Sequence, residues 1–321
     1  MKIFSGIRPS GELHIGNYLG AISNWLELQK KNECIFSVVD YHAITTPYEK
    51  DKFHQRNLEL VAWLIACGIN PEKTRLFRQS QVPEHTELAW ILSTVLPVSE
   101  LFRMIQYKEK SDYISKENIT AGLLNYPILM ASDILIYNTD TVPVGEDQVQ
   151  HVELARIIAR KFNHRYGKIF VEPKAILTKT KRVMSLKDPT KKMSKTDTGG
   201  IALGDSSEII TQKIMGAVTA TGEAGKISPA VKNLLGLVEA FGKPEKISEF
   251  IQAIENKTIQ YVELKRYLAE KIIEKLTPIQ KKYREIMADP DKIEKMLSNN
   301  ARALHKEARI KIEQAKKEMG F

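Results

Sequence analysis

Apolar residues in this chain come in two arrangements, short continuous runs and spaced positions, and their order predicts the fold. Lys2 to Ile7 reads as a strand. Gly16 to Lys31 reads as a helix, because Leu19, Ile22, Trp25, Leu26 and Leu28 fall near helical spacing. Cys34 to Asp40 is a continuous apolar run, the pattern of a parallel strand covered on both faces. Asp51 to Gly68 is a second helix closed by Gly68-Ile69-Asn70-Pro71, and Thr74 to Gln79 is a third strand. Such a βαβαβ order predicts a doubly wound parallel sheet, whose ligand crevice lies at the carboxyl ends of the strands. The loop that holds His14 and the loop that holds Asp40 and His42 should then open on one crevice.

The alternation stops between about 81 and 138. Three helical patterns follow without strands, Glu84 to Leu96, Val98 to Lys110 and Ile119 to Tyr137, which predicts a helical insertion between the two halves of the sheet. Trp90, Leu92, Leu101 and Phe102 either pack inside it or form a subunit interface. A strand resumes at Thr139 to Val144, and Gly145-Glu146-Asp147-Gln148 opens a helix to about Phe162. Past Thr196, Thr198-Gly199-Gly200 reads as a hinge. From Asp205 the chain is helical, with breaks expected at Gly222–Gly225, Gly242–Pro244, Thr277–Pro278 and Asp289–Pro290. A long last helix runs from Asp291 to about Lys317 and is free to dock back on another element. The expected division is an α/β domain over 1–196 and a smaller all-α domain over 197–321.

Composition narrows the class. With 43% apolar and 27% charged residues among 321, the chain is an ordinary globular protein. Its longest apolar run, Leu60 to Ile69, is too short to span a membrane, and its first residues have no signal-peptide pattern. Cys34 and Cys67 sit in apolar surroundings without metal-ligand spacing, so the expectation is two buried thiols in a reducing cytoplasm and no protein metal site. The net charge is +9, and much of it lies in one stretch. Lys174, Lys179, Lys181, Arg182, Lys187, Lys191, Lys192 and Lys195 face only Asp188 there. A basic loop of this kind is a poor structural element but a good phosphate site.

Two stretches carry candidate chemistry. Pro9-Ser10-Gly11-Glu12-Leu13-His14-Ile15-Gly16-Asn17 joins a strand to a helix N-terminus. A junction of that type offers unpaired N–H groups and the positive end of a helix dipole to a polyphosphate. Lys192-Met193-Ser194-Lys195-Thr196 puts two amines three residues apart, able to follow charge that grows on a phosphate. In the third insertion helix, Tyr126, Met130, Asp133 and Tyr137 share one face. They outline an apolar slot with one anionic acceptor, or else a carboxylate capped at the core edge. Asp147 and Gln148 either cap their helix or hold a ribose or adenine.

Taken together and in this order, the motifs resemble those of class I aminoacyl-tRNA synthetases, and the chain along nearly all its length is similar to the bacterial-type tryptophanyl-tRNA synthetases. The matching stretches are the first motif, Val39-Asp40 with His42-Ala43-Ile44-Thr45, Tyr126-Pro127 with Met130 and Asp133, Val144 to Gln148, Met184-Ser185-Leu186, and the lysine motif. The resemblance implies a Rossmann-like catalytic domain with its insertion at about 81–138, and a helical tRNA anticodon-binding domain over 197–321. It implies that Asp133 accepts the indole N–H while Met130, Tyr126, Phe4, Val39, His42 and Gln106 shape the slot. It assigns ATP to Arg8, Pro9, Ser10, His14, Gly16 and Asn17, to Gly145, Glu146, Asp147, Gln148 and Val183, and to Lys192, Met193, Ser194, Lys195 and Thr196. Lys192, Lys195 and Lys110 would hold the leaving pyrophosphate, with Mg²⁺ carried by the phosphates. Two positions depart from the family pattern: Arg8 stands where Gln is frequent, and Thr196 replaces a more usual Ser while keeping its hydroxyl.

The implied reaction is activation of tryptophan by ATP and its transfer to tRNA, by a cytoplasmic homodimer with no membrane association. The nearest alternative is a tyrosyl-tRNA synthetase, which shares the architecture and both motifs. The Met at 130 favours indole, since a thioether offers soft bulk rather than a polar partner for a phenol. A small-molecule nucleotidyltransferase would not need the helical C-terminal part, and an RNA-binding protein without catalysis leaves the paired motifs without a role.

Overall fold

The computed structural model describes residues 1–112, 119–177, 183–193, 199–219 and 227–321, with the side chains of 109–112 outside that description. Five parallel strands form one sheet in the order β3-β2-β1-β4-β5. They are β1 (Lys2–Ile7), β2 (Glu33–Val38), β3 (Arg75–Arg78), β4 (Thr141–Val144) and β5 (Lys174–Leu177). The first four lie where the apolar runs predicted them. β5 falls in the stretch read as a basic loop: it has four residues, basic neighbours, and Ile176 and Leu177 on an exposed edge, so no apolar run announces it. What makes it a strand is pairing with β4, Thr141 against Lys174 through Val144 against Leu177. Because the order reverses at β1, the crevice between the carboxyl ends of β1 and β4 is the topological switch point.

Helices cover both faces. Between β1 and β2, α1 (Ile15–Asn17) continues through a π-type turn at Tyr18–Ile22 into α2 (Ser23–Leu28). α3 (Asp40–Ala43) and α4 (Lys50–Ala66) connect β2 to β3. The insertion consists of α5 (Glu84–Ser93), α6 (Val98–Phe102), α7 (Ile105–Asp112) and α8 (Ala121–Leu135). The pattern over Val98 to Lys110 is therefore two helices rather than one; Leu101 and Met104 turn inward at the break, both buried. Leu92 is also buried, whereas Trp90, at 75% exposure, and Phe102 face outward. α9 (Val149–Tyr166) then leads to β5.

The remaining described residues form α10 (Ser207–Met215), α11 (Pro229–Phe241), α12 (Pro244–Glu255), α13 (Tyr261–Met287) and α14 (Pro290–Met319), with no strand among them. The break expected at Thr277–Pro278 does not occur. Pro278 sits inside α13, where Leu276 and Ile279 are buried on either side and Thr277 Oγ1 donates to the Ile273 carbonyl at 2.8 Å. Packing along that face outweighs the backbone bond that proline removes. Nor is Gly199 an open hinge: a Cβ there would lie 2.5 Å from Ser185 Oγ and 2.9 Å from the Lys187 nitrogen.

The last helix returns to the sheet. Its Ile293 and Leu297 join the core beneath α4 and the C-terminal helices, and Ala301, Leu304, Ala308, Ile312 and Ala315 join the core on the insertion side. Along the way Asn300 donates to the Leu76 carbonyl of edge strand β3 at 2.9 Å, and Glu307 pairs with Lys2 and Arg75. An edge that would otherwise expose unpaired backbone is covered by this helix. Cys34 and Cys67 are buried free thiols, which burial pushes up to about 11 and about 12 respectively. No helix among the described residues is long and apolar enough to cross a membrane.

Candidate active site

A cavity of about 1220 Å³ opens at the switch point. One side of it is built by the loop after β1. There the Asn17 side chain accepts the His14 N–H at 3.1 Å, so the first helical turn is closed by its own residue. Gly16 lies under the His14 ring, and a Cβ at that position would come within 2.8 Å of Nδ1 and 2.9 Å of Cε1. Only glycine lets the ring rest on the turn. Arg8, Ser10, His14, Gly16 and Asn17 all line the cavity, while Pro9 is buried behind the loop and does not.

Across the crevice, Gly145, Glu146, Asp147 and Gln148 line the same space from the turn after β4. Their side chains make no cap on α9: Gln148 donates instead to Asp147 at 3.1 Å. Of the second motif, Lys192 and Met193 reach the cavity, and Val183 lines it beside them. Ser194, Lys195 and Thr196 lie outside the described residues, as does the Lys110 side chain, although Lys110 is on α7. The two motifs are tied through the backbone. Ile15 N donates to Ile201 O at 2.9 Å and Leu203 N to Leu13 O at 2.8 Å, so the segment just past the lysine motif pairs with the first loop.

The other side of the cavity is the predicted slot. Phe4, Val39, His42, Gln106, Tyr126, Met130 and Asp133 all line it. Asp133 is 1% exposed and accepts three hydrogen bonds. Gln79 Nε2 reaches Oδ1 at 2.7 Å, His85 Nδ1 reaches Oδ1 at 2.6 Å, and His42 Nε2 reaches Oδ2 at 2.9 Å. A carboxylate has about four acceptor positions, so one remains, on Oδ2. Gln79 and His85 do not line the cavity whereas His42 and Asp133 do, so the filled positions on Oδ1 point into the protein. Burial works to raise the Asp133 carboxyl, but the bonds from His42 and His85 outweigh it and hold the group below its ordinary value. The slot thus offers an ionised carboxylate with room for one more N–H or O–H.

Gln79 and His85 escaped the sequence reading. His85 had a signal: with Leu88 and Leu92 it lies on the buried face of α5, a polar residue at an apolar position. Gln79 had none, because it comes from the turn after β3. Asp40, expected at the crevice, does not line it. Its Oδ1 accepts Ser80 N–H at 2.9 Å and Tyr41 N–H at 3.1 Å, which joins the turns after β2 and β3 behind His42. His151 is structural: it is buried, and its Nε2 lies 2.9 Å from the Tyr126 hydroxyl.

Comparison with known proteins places the chain in a family. The family described as tRNA synthetases class I (W and Y) matches residues 1–277. The chain is 43% identical to a tryptophan–tRNA ligase of Clostridium perfringens, over 99% of this chain and 97% of that one. It is 44% identical to a tryptophan–tRNA ligase of Oceanobacillus iheyensis, over 99% and 98%. Among solved structures, a tryptophanyl-tRNA synthetase from Campylobacter jejuni complexed with ADP and tryptophan superposes with a TM-score of 0.87 at 32% identity, covering 100% of both chains.

Proposed function

This chain belongs to the class I tRNA synthetases for tryptophan and tyrosine, and from that premise we propose how its cavity works as a tryptophan–tRNA ligase. The observation that carries the tryptophan reading is the single open acceptor position on the buried, ionised Asp133, set among Phe4, Val39, Tyr126 and Met130. An indole has one N–H and a wide apolar face. A ligand without that donor would leave a buried carboxylate unmatched, which discriminates far more strongly than shape alone.

In this reading ATP lies along the first loop and the turn after β4. Arg8, Ser10, Gly16 and Asn17 hold its phosphates, Gly145 to Gln148 and Val183 hold its nucleoside, and Mg²⁺ arrives on the phosphates as part of the substrate. The tryptophan carboxylate attacks the α-phosphorus in line and pyrophosphate leaves, its growing charge met by Lys192, with Lys195 and Lys110 assigned the same work from sequence. Chemistry of this type is mostly positioning and charge stabilisation. Tryptophan then passes to the terminal adenosine of tRNA. Residues 1–196 form the catalytic unit in this scheme and 197–321 the unit that meets the anticodon. The protein works in the cytoplasm as a homodimer, for which the outward-facing Trp90, Val98, Phe102 and Ile105 of the insertion supply apolar surface.

ATP–pyrophosphate exchange with each amino acid, followed by aminoacylation of tRNA, tests the proposal. Tryptophan alone should support both; exchange with tyrosine in its place would overturn it.

A further inference from the structure

The hairpin that carries Lys192 is gripped from outside by one side chain. Met184 and Lys192 form an antiparallel bridge, in which Met193 N donates to Val183 O at 3.0 Å and Ser185 N to Lys191 O at 2.9 Å. Successive residues of an extended strand turn their peptide groups to opposite sides, so the N–H and C=O of Met184 face away from the second arm. Asn233 of α11 takes both. Its Oδ1 accepts the Met184 N–H at 3.0 Å and its Nδ2 donates to the Met184 carbonyl at 3.0 Å. A primary amide carries one acceptor and a donor on one planar group, and here it stands in for a third strand.

Asn233 itself is firmly held. Ser228 Oγ caps α11 by accepting the Val231 N–H, and Leu234, Leu237 and Val238 are buried in the core shared with α13. Asn233 does not line the cavity, but Val183 and Lys192, on either side of the bridge it anchors, do. Leu186 is tied separately, to Gly199 O and by Val218 N, so the far end of the same arm is fixed independently.

We infer that Asn233 is a positioning residue for the nucleotide: by clamping the Met184 peptide to α11 it sets the place of Lys192 at the phosphate end of the cavity. This rests on the reading of the cavity as a tryptophan–ATP site. The consequence is a split in kinetics, because the clamp reaches the nucleotide side of the cavity and not the Asp133 slot.

Three variants test it by ATP–pyrophosphate exchange at varied ATP and varied tryptophan. Asn233→Asp matches the native residue in size but lacks the donor and sets an anion against the Met184 carbonyl. Asn233→Ala lacks both groups, and Asn233→Gln keeps both on a longer stem. Ala, which loses both hydrogen bonds, and Asp, which loses one and sets a charge against the carbonyl, should each raise the KM for ATP roughly tenfold, while the KM for tryptophan stays within about twofold. Gln should recover part of the loss. An Asp variant with the native KM for ATP overturns the inference, as does a rise in both KM values together or an effect confined to melting temperature. If Ala does not fold, the isosteric Asp and the Gln variant carry the same comparison. Absence of exchange in the unaltered protein would instead remove the functional reading, and this inference with it.

Discussion

The Nδ1 atom of His85 lies 2.6 Å from Oδ1 of Asp133, with both side chains shut away from solvent. The other nitrogen of the same ring lies 2.7 Å from the Tyr137 hydroxyl. A neutral ring protonated on Nδ1 satisfies both contacts, donating to the carboxylate and accepting from the phenol. Burial, reinforced by the Asp133 charge, pushes the Tyr137 hydroxyl well above its ordinary value, so it stays a donor. The Asp133 carboxylate is thus oriented from behind by His85 and Tyr137, neither of which lines the cavity.

His85→Ala should therefore change how Asp133 titrates. Losing a donor that favours the anion moves the carboxyl upward, so the acid limb of kcat/KM for tryptophan should shift to higher pH. A pH profile of the exchange reaction reads this directly, and an acid limb that stays in place would leave His85 a packing residue only. Stability should fall as well, by about 2–4 kcal/mol, for a cavity and an unfilled acceptor.

Gly16→Ala forces the His14 ring off the first turn, because the new methyl would sit 2.8 Å from Nδ1. The expected result is a KM for ATP raised by about tenfold or more with tryptophan binding unchanged. Steady-state exchange at fixed tryptophan measures it. A native KM would mean that the ring position does not matter to the nucleotide.

Lys192→Ala should slow adenylate formation by roughly a hundredfold, since a charge aimed at the leaving group acts most in the transition state. Tryptophan affinity, followed by fluorescence titration, should move by no more than about twofold. Equal losses in rate and affinity would take Lys192 away from the phosphates.

Glu307 joins α14 to β1 and β3 through Lys2 and Arg75. Burial acts to raise its carboxyl, but the two cations prevail and hold it below its ordinary 4.5. A depressed carboxyl stabilises the fold above its unfolded value and loses that contribution as pH falls through its folded value. Glu307→Gln should thus cost about 1 kcal/mol at pH 7, with the gap closing below about pH 4.5. Urea unfolding at the two pH values checks the sign; a gap that widens in acid would refute the pairing.

Much of this molecule was written in the order of its residues. The residue pattern alone separated strand from helix through β1 to β4, because runs such as Cys34 to Val38 are apolar at every position but Ser37, as suits a strand covered on both faces. Helical spacing placed Asp133 on a face with Tyr126, Met130 and Tyr137, and the strand order placed the glycine-bearing turn at the crevice, where its residues line the cavity. Tertiary structure decided the rest, since the deciding partners lie far away along the chain. β5 exists through pairing with β4, Pro278 stays helical through burial of its neighbours, and α14 becomes part of the sheet's edge through Asn300 and Glu307. Behind the slot, Gln79 and His85 stand 54 and 48 residues from Asp133. Local pattern records which face a residue turns inward; which distant groups meet it there, and how many acceptor positions they leave open, is fixed only when the elements close on one another.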